Sequence, residues 1–147
     1  MARRLRLLAL SLTFLSAGVG IAAAQSPPDL KGTWSGTSRA IVAGLAPQQP
    51  PGATIRFAGP NRLTDVKFTS KIEGQEGSRI WGTISSPTAV YPFIGVILYD
   101  GKGIRIVQQH GGILDGTIVD PDRIEVVFIE QTGSVAVAST NTWTRQK

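Results

Sequence analysis

Alternation of apolar and polar residues along most of the chain is the feature that most limits its fold. In LTDVKFTSKIE, residues 63–73, every second side chain from Val66 to Ile72 falls on one face, and the other face is charged or hydroxylated. A repeat of two residues is typical of a half-buried β-strand and not of a helix. The alternation therefore predicts strands that turn one face toward a core.

Short turns separate the stretches of this kind. Residues that suit tight turns recur at 74–77, 100–103, 110–112, 120–122 and 132–134. Together with a first strand, the intervening stretches predict eight strands at 30–42, 63–73, 78–86, 90–99, 104–109, 113–119, 123–131 and 135–145. Short connections favour an antiparallel arrangement. We expect an all-β, eight-stranded up-and-down barrel because closure removes exposed edges, and a β-sandwich is the alternative.

The N-terminal residues differ in chemistry from the rest of the chain. Arg3, Arg4 and Arg6 precede an apolar run at 7–21, and three alanines lead to Gln25. This pattern predicts a cleaved signal peptide at 1–24 and export to the periplasm or the medium, and a transmembrane segment is the alternative. Residues 25–147 are then one domain, with no membrane span and with a proline-rich loop at 43–62.

Composition excludes several classes of function. Three of the 15 lysines and arginines lie in the predicted signal peptide, so residues 25–147 carry 12 basic and 10 acidic groups and no basic cluster for nucleic acid. With one histidine and no cysteine, the chain has no disulfide and no nitrogen or sulfur ligand set for a metal. No cofactor is predicted.

The first predicted strand carries a glycine-spaced tryptophan, Trp34 in GTWSG, and Arg145 ends the last strand. This resembles the calycin superfamily, which includes lipocalins and avidins, and a group of small, uncharacterised exported bacterial proteins that share the Gly-Thr-Trp start. The calycin resemblance implies that Trp34 closes the barrel floor with Arg145 over its indole, and Trp143 is expected nearby. From the residues alone, Trp34 is a core side chain or one wall of a ligand site.

Polar residues on faces that otherwise look buried are the candidates for ligand binding. Gln108, Asp115 and Asn141 are predicted to orient a small molecule in the barrel mouth. Apolar side chains are predicted to line the same cavity, namely Val66, Phe68, Ile94, Val96, Ile106 and Phe128.

An aromatic outer surface is also predicted. Trp81 shares its face with Arg79 and points outward, and on the next strand Val90, Ile94, Val96 and Leu98 are expected inside. That assignment leaves an outer patch for a protein partner or for self-association, formed by Trp81, Tyr91, Phe93, Ile97 and Tyr99. The alternative is that the proline-rich loop covers it.

Three functions follow from these patterns. The first is a non-catalytic barrel that binds a small apolar ligand. The second is a protein-interaction module, either an envelope component or a protein similar to a protease inhibitor. The third is an enzyme at the barrel mouth that uses His110, Asp115 or Glu130 as acid or base. The third is disfavoured because no nucleophile, metalloprotease or phosphate-binding motif is present.

Overall fold

The structure is a computed structural model that describes residues 26–44, 61–133 and 135–147. The predicted signal peptide at 1–24 and most of the predicted loop at 43–62 lie outside these ranges. Within them, no helix is long and apolar enough to cross a membrane.

Eight antiparallel strands form a closed barrel in the order in which they follow along the chain. Each strand pairs with the next, and the last pairs with the first, which confirms the up-and-down barrel and excludes the sandwich. The strands are β1 (Gly32–Ala43), β2 (Arg62–Glu76), β3 (Arg79–Ser85), β4 (Val90–Ile97), β5 (Gly103–Gln108), β6 (Ile113–Asp120), β7 (Arg123–Thr132) and β8 (Val135–Arg145).

The connections divide the barrel into two ends. One end holds the β2–β3, β4–β5 and β6–β7 turns, the start of β1 and the end of β8, and we call it the closed end. The other holds the β3–β4, β5–β6 and β7–β8 turns and the β1–β2 connection, and we call it the open end. The β2–β3 turn is shorter than predicted because β2 continues to Glu76, and the chain reverses at Gly77, whose φ is +57°.

The interior follows the two-residue alternation and is filled most completely toward the closed end. Inward side chains there are 9% exposed or less, and they belong to Leu30, Trp34, Ile72, Ile80, Ile97, Ile104, Ile118, Ile124 and Trp143. On β2 the predicted inner residues Phe68, Ser70 and Ile72 are buried, and the charged face is exposed. Apolar side chains of eight strands thus form one core.

Strand β4 faces the opposite way to the prediction. Phe93 and Ile97 are each 3% exposed, whereas Ile94 is 68% exposed. The predicted inner residues Val90, Val96 and Leu98 are likewise exposed. Both faces of this strand are apolar, so its alternation does not indicate which face is inside. Pairing with β3 and β5 decides the orientation, and Gly95 lies inward where a Cβ would come within 2.8 Å of the Ile106 side chain.

Candidate functional site

The closed end is built around Trp34, whose indole is fully buried. Its Nε1 donates a hydrogen bond to the Leu30 carbonyl at 3.0 Å, which satisfies the polar atom of the ring. Leu30 is also buried, and its backbone N–H donates to Gln75 Oε1 at 2.8 Å. The segment that precedes β1 therefore folds under the barrel and covers this end.

Two glycines flank Trp34 at positions that exclude a side chain. Gly32 has a φ of +130°, in the region that favours glycine, and a Cβ there would lie 3.2 Å from Arg145 Nη1. At Gly36 a Cβ would overlap the Thr142 carbonyl oxygen and lie within 2.8 Å of the Phe68 ring. Backbone conformation at the first glycine and close packing at the second explain the GTWSG spacing.

Arg145 joins three parts of the closed end. The guanidinium lies over the Trp34 ring, with Cζ 4.3 Å from a ring centroid, which is the geometry of a cation–π contact. Nη1 donates to the Lys31 carbonyl at 2.6 Å, and Nη2 donates to the Asp29 carbonyl at 3.0 Å. Nε donates to the Pro121 carbonyl in the β6–β7 turn at 2.9 Å. One side chain thus ties the entry to β1, the end of β8 and a turn together.

Trp143, the third residue predicted at the barrel floor, points inward from β8 and is 1% exposed. Its ring centroid lies 5.8 Å from that of Phe68, and the two rings are tilted by 55°. Both rings also line the cavity at the open end. They therefore separate the filled half of the barrel from the hollow half.

The cavity at the open end has a volume of about 260 Å³ and is lined by side chains from all eight strands. Its aromatic walls are Phe68, Tyr91, Phe128 and Trp143. Its aliphatic walls include Val42, Val66, Ile84, Leu114 and Val137. Of the predicted apolar lining, Val66, Phe68 and Phe128 lie in the cavity wall. Ile106 is buried in the core instead, while Ile94 and Val96 point to the outside.

Two of the three predicted polar ligand-binding residues also line this cavity. Gln108 is half-buried at the end of β5, and Asn141 on β8 is 8% exposed. The Nδ2 of Asn141 donates to Ser139 Oγ at 3.3 Å, which orients the amide. Ser38 and Thr64 also line the cavity, and the sequence did not predict them. A single hydroxyl residue in a strand does not indicate which face of that strand lies inside the barrel.

Asp115 does not line this cavity, and the prediction that it faces the barrel interior is wrong. Its side chain is 53% exposed and forms an ion pair with Arg105, its partner on the neighbouring strand. The apolar pair Ile113 and Leu114 opens β6 with one residue on each face, and Leu114 is the inward one. The sequence prediction assumed an alternation that was shifted by one residue, and it therefore placed Asp115 on the inner face instead of the outer face.

Ser70 is a polar residue buried without a hydrogen-bond partner among the described residues. It lies on β2 between Trp34 and Ile84 on the neighbouring strands, and its exposure is 0%. A buried hydroxyl that makes no bond lowers stability. Ser70 therefore fills space in the core at some cost in stability.

The three residues considered as acid or base do not form one site. His110 is exposed in the β5–β6 turn, and its ring meets the Tyr91 ring edge-on with centroids 5.0 Å apart. Glu130 lines the cavity, and its Oε1 accepts a hydrogen bond from Thr132 Oγ1 at 3.2 Å. Asp115 is outside the barrel. Among the described residues, no group of three potential metal ligands is present.

A larger depression of about 750 Å³ lies on the outer wall, over β1, β6, β7 and β8. It is lined mainly by exposed polar side chains, including Thr37, Arg39, Thr117 and Glu125. Such a surface does not exclude water from a small molecule. The open-end cavity is smaller, but its mostly apolar wall of inward-facing side chains makes it the better candidate site.

The predicted aromatic outer patch is replaced by a different apolar surface. Trp81 faces outward as predicted and is 44% exposed. Phe93 and Ile97 are buried instead. Tyr91 forms part of the cavity wall, and Tyr99 lies in a turn. Successive pairing partners on neighbouring strands form a continuous outward row that we call the outer row. Its members are Trp81, Ile94, Val107, Ile113, Ile129, Ala138, Ile41 and Leu63.

Comparison with known proteins identifies no family. No family model matches the chain, and no curated protein matches it. Among solved structures, the S-type phycobiliprotein lyase CPES from Guillardia theta is 14% identical, with 80% of this chain and 89% of that chain covered and a TM-score of 0.35. A superposition at that level says nothing about ligand or activity. The number, order and closure of the strands in the chain itself are those of the eight-stranded up-and-down barrel that the calycin resemblance implies.

Proposed function

We propose that the protein is an exported, non-catalytic barrel that binds a small, mostly apolar molecule at its open end. The observation that carries the proposal is the cavity of about 260 Å³, which has aromatic and aliphatic walls and a floor formed by Trp143 and Phe68. The closed end is sealed by Trp34, so a ligand enters from the opposite side. Most of the cavity wall is apolar, and a minority of the lining residues are polar, which suits a ligand with an apolar body and a polar end.

Filling the cavity tests this proposal. We expect 1-aminoanthracene, a neutral dye whose fluorescence rises in apolar surroundings, to bind the wild-type protein. The variant Val66→Trp places a large side chain in the cavity wall and should abolish the fluorescence increase. The matched control Val119→Trp adds the same bulk on the outside of β6, where Val119 is 47% exposed, and should leave binding unchanged. Equal binding by both variants would refute the open-end cavity as the site.

Export is part of the same proposal. It is supported by Arg3, Arg4 and Arg6, the apolar run at 7–21 and the three alanines before Gln25. Expression of the complete chain in a bacterial host, followed by fractionation and N-terminal sequencing, tests it. We expect a periplasmic or secreted product that begins at or near Gln25. Uncleaved protein in the cytoplasm or in the inner membrane would contradict export.

Self-association is the second candidate function, and the outer row favours it. Ile94, Val107, Ile113 and Ile129 lie on four adjacent strands and are 68%, 45%, 45% and 58% exposed. With Trp81 they form one strip, and exposed apolar neighbours widen it. Exposed apolar strips of this kind mark interaction surfaces, and symmetric dimers are the commonest soluble assemblies, so a second copy of this chain is a suitable occupant.

Sedimentation of the purified protein distinguishes this candidate. We expect a reversible dimer in the wild type and a monomer when Ile113 and Ile129 are both replaced by lysine. The control Thr117→Lys changes an exposed outward residue of β6 outside the row and should leave the dimer intact. A wild-type protein that stays monomeric at about 100 µM, a concentration at which interfaces of standard size associate, would eliminate self-association.

A further inference from the structure

The charge of the cavity lining says more about the class of ligand than the apolar character of the lining does. Within the described part of the chain, Glu130 is the acidic residue of the lining, and no lysine, arginine or histidine lines it. Gln108 and Asn141 are neutral. The carboxylate is half-buried at the end of β7, where Thr132 donates to it. An anionic ligand would therefore meet a like charge with no basic side chain of the lining to offset it.

The aromatic rings of the cavity lining also favour a positively charged ligand. Phe68, Tyr91, Phe128 and Trp143 line the cavity in which Glu130 lies. The faces of aromatic rings carry partial negative charge and attract cations, most strongly where water is displaced. Phe128 and Gln108 Oε1 both lie against Gly112, so a ring and a neutral acceptor are adjacent at the rim.

We infer that the ligand is a small organic cation with an apolar or aromatic body, of the alkylammonium or arylammonium class. The ammonium group would lie near Glu130 and the aromatic rings, and the apolar body would lie between the aliphatic walls toward Trp143. The inference rests on the proposed function, because it names the ligand class for the same cavity. It excludes fatty acids and other carboxylates as ligands, although an apolar cavity alone would accept their chains.

Three compounds of similar size test the inference by charge. Phenyltrimethylammonium is a cation, tert-butylbenzene is its neutral isostere, and hydrocinnamate is an anion. Each is titrated into the isotope-labelled protein at neutral pH, and NMR shifts of the Trp143 indole and the Asn141 amide report occupancy of the cavity. We expect the cation to bind about tenfold more tightly than the neutral isostere, because a charge-assisted contact is added. The anion should not bind.

Substitution of the carboxylate then separates charge from shape. Glu130→Gln should weaken binding of the cation about tenfold and leave the neutral isostere unchanged. The control Glu125→Gln removes an acid from the outer face of the same strand, where Glu125 pairs with Arg123, and should change neither affinity. If Glu130→Gln fails to fold, Phe128→Leu keeps an apolar wall and should weaken binding of the cation selectively.

The outcomes separate this inference from the proposed function. Equal affinity for the cation and its neutral isostere, or an unchanged preference in Glu130→Gln, would overturn the cation assignment and leave the apolar site intact. Absence of shifts at Trp143 and Asn141 with both the cation and the neutral compound would overturn the cavity as a binding site. Preferential binding of hydrocinnamate would overturn the inference outright.

Discussion

Replacement of Arg145 by lysine tests whether the closed end depends on the shape of the guanidinium or only on its charge. Arg145 donates to the backbone carbonyls of Asp29, Lys31 and Pro121 and covers the ring of Trp34. A lysine keeps the positive charge, but its compact ammonium cannot serve acceptors in separate segments and stack flat on the indole at the same time. Arg145→Lys therefore removes the planar, forked shape of the guanidinium and keeps its positive charge.

We expect Arg145→Lys to lower the free energy of unfolding by about 2–3 kcal/mol. Loss of two hydrogen bonds from a charged donor to backbone carbonyls costs roughly 1 kcal/mol each after water is taken into account. Loss of the stacked cation–π contact adds about 0.5–1 kcal/mol. The Arg145 side chain is 21% exposed, so solvent weakens these contacts only in part.

Urea unfolding followed by circular dichroism measures this difference. The matched control is Arg123→Lys, because Arg123 is half-exposed and pairs with Glu125 on the outer surface. An exposed ion pair of that kind contributes little, so the control should change stability by less than about 0.5 kcal/mol. The same small change in Arg145→Lys as in the control would refute the argument that the guanidinium joins the closed end.

Three further substitutions probe stability at single positions. Trp34→Ala should lower the free energy of unfolding by about 3–5 kcal/mol, since it empties a fully buried site, and an unchanged urea midpoint would contradict its place in the core. Ser70→Ala should be neutral or stabilise by up to about 1 kcal/mol, because it removes a buried hydroxyl that makes no bond among the described residues; a clear loss in thermal unfolding would show that the hydroxyl has a partner. The backbone amides of Gly103 and Lys102 hold the pKa of Asp100 below its ordinary value. The Asp100 carboxylate therefore contributes stability above the ordinary carboxyl pKa, and this contribution is lost as the pH falls through the lowered pKa. Asp100→Asn should remove this contribution, so that urea midpoints measured between about pH 6 and pH 2 fall less with acid than in the wild type.

The sequence predicts strand number and closure because those depend on local signals. Turn residues recur at short intervals, and β2 has a charged face that leaves no doubt about which side is outward. The phase of β4 and β6 was not predictable in the same way. Phe93 and Ile94 are both apolar, as are Ile113 and Leu114, so the alternation is compatible with either face inside.

Pairing between strands supplies the missing information, and it is not local in the sequence. The ion pair of Asp115 with Arg105 and the outer row both exist only once the registers of neighbouring strands are set. Contacts of Arg145 with Lys31 and Asp29 join residues at opposite ends of the chain. The resemblance to calycins implied a basic residue over Trp34, but nothing in the sequence indicated the carbonyls that it also binds.

The two ends of the barrel differ in packing, and this difference explains how one small core can be stable and also contain a cavity. At the closed end, Trp34 and Leu30 fill the interior, and Arg145 satisfies the carbonyls of the segments that cover it. The open end keeps a cavity of about 260 Å³. An empty apolar cavity costs packing contacts that a ligand restores. We therefore expect the ligand proposed above to raise the free energy of unfolding by restoring contacts at the open end, whereas the contacts of Arg145 at the closed end do not depend on it.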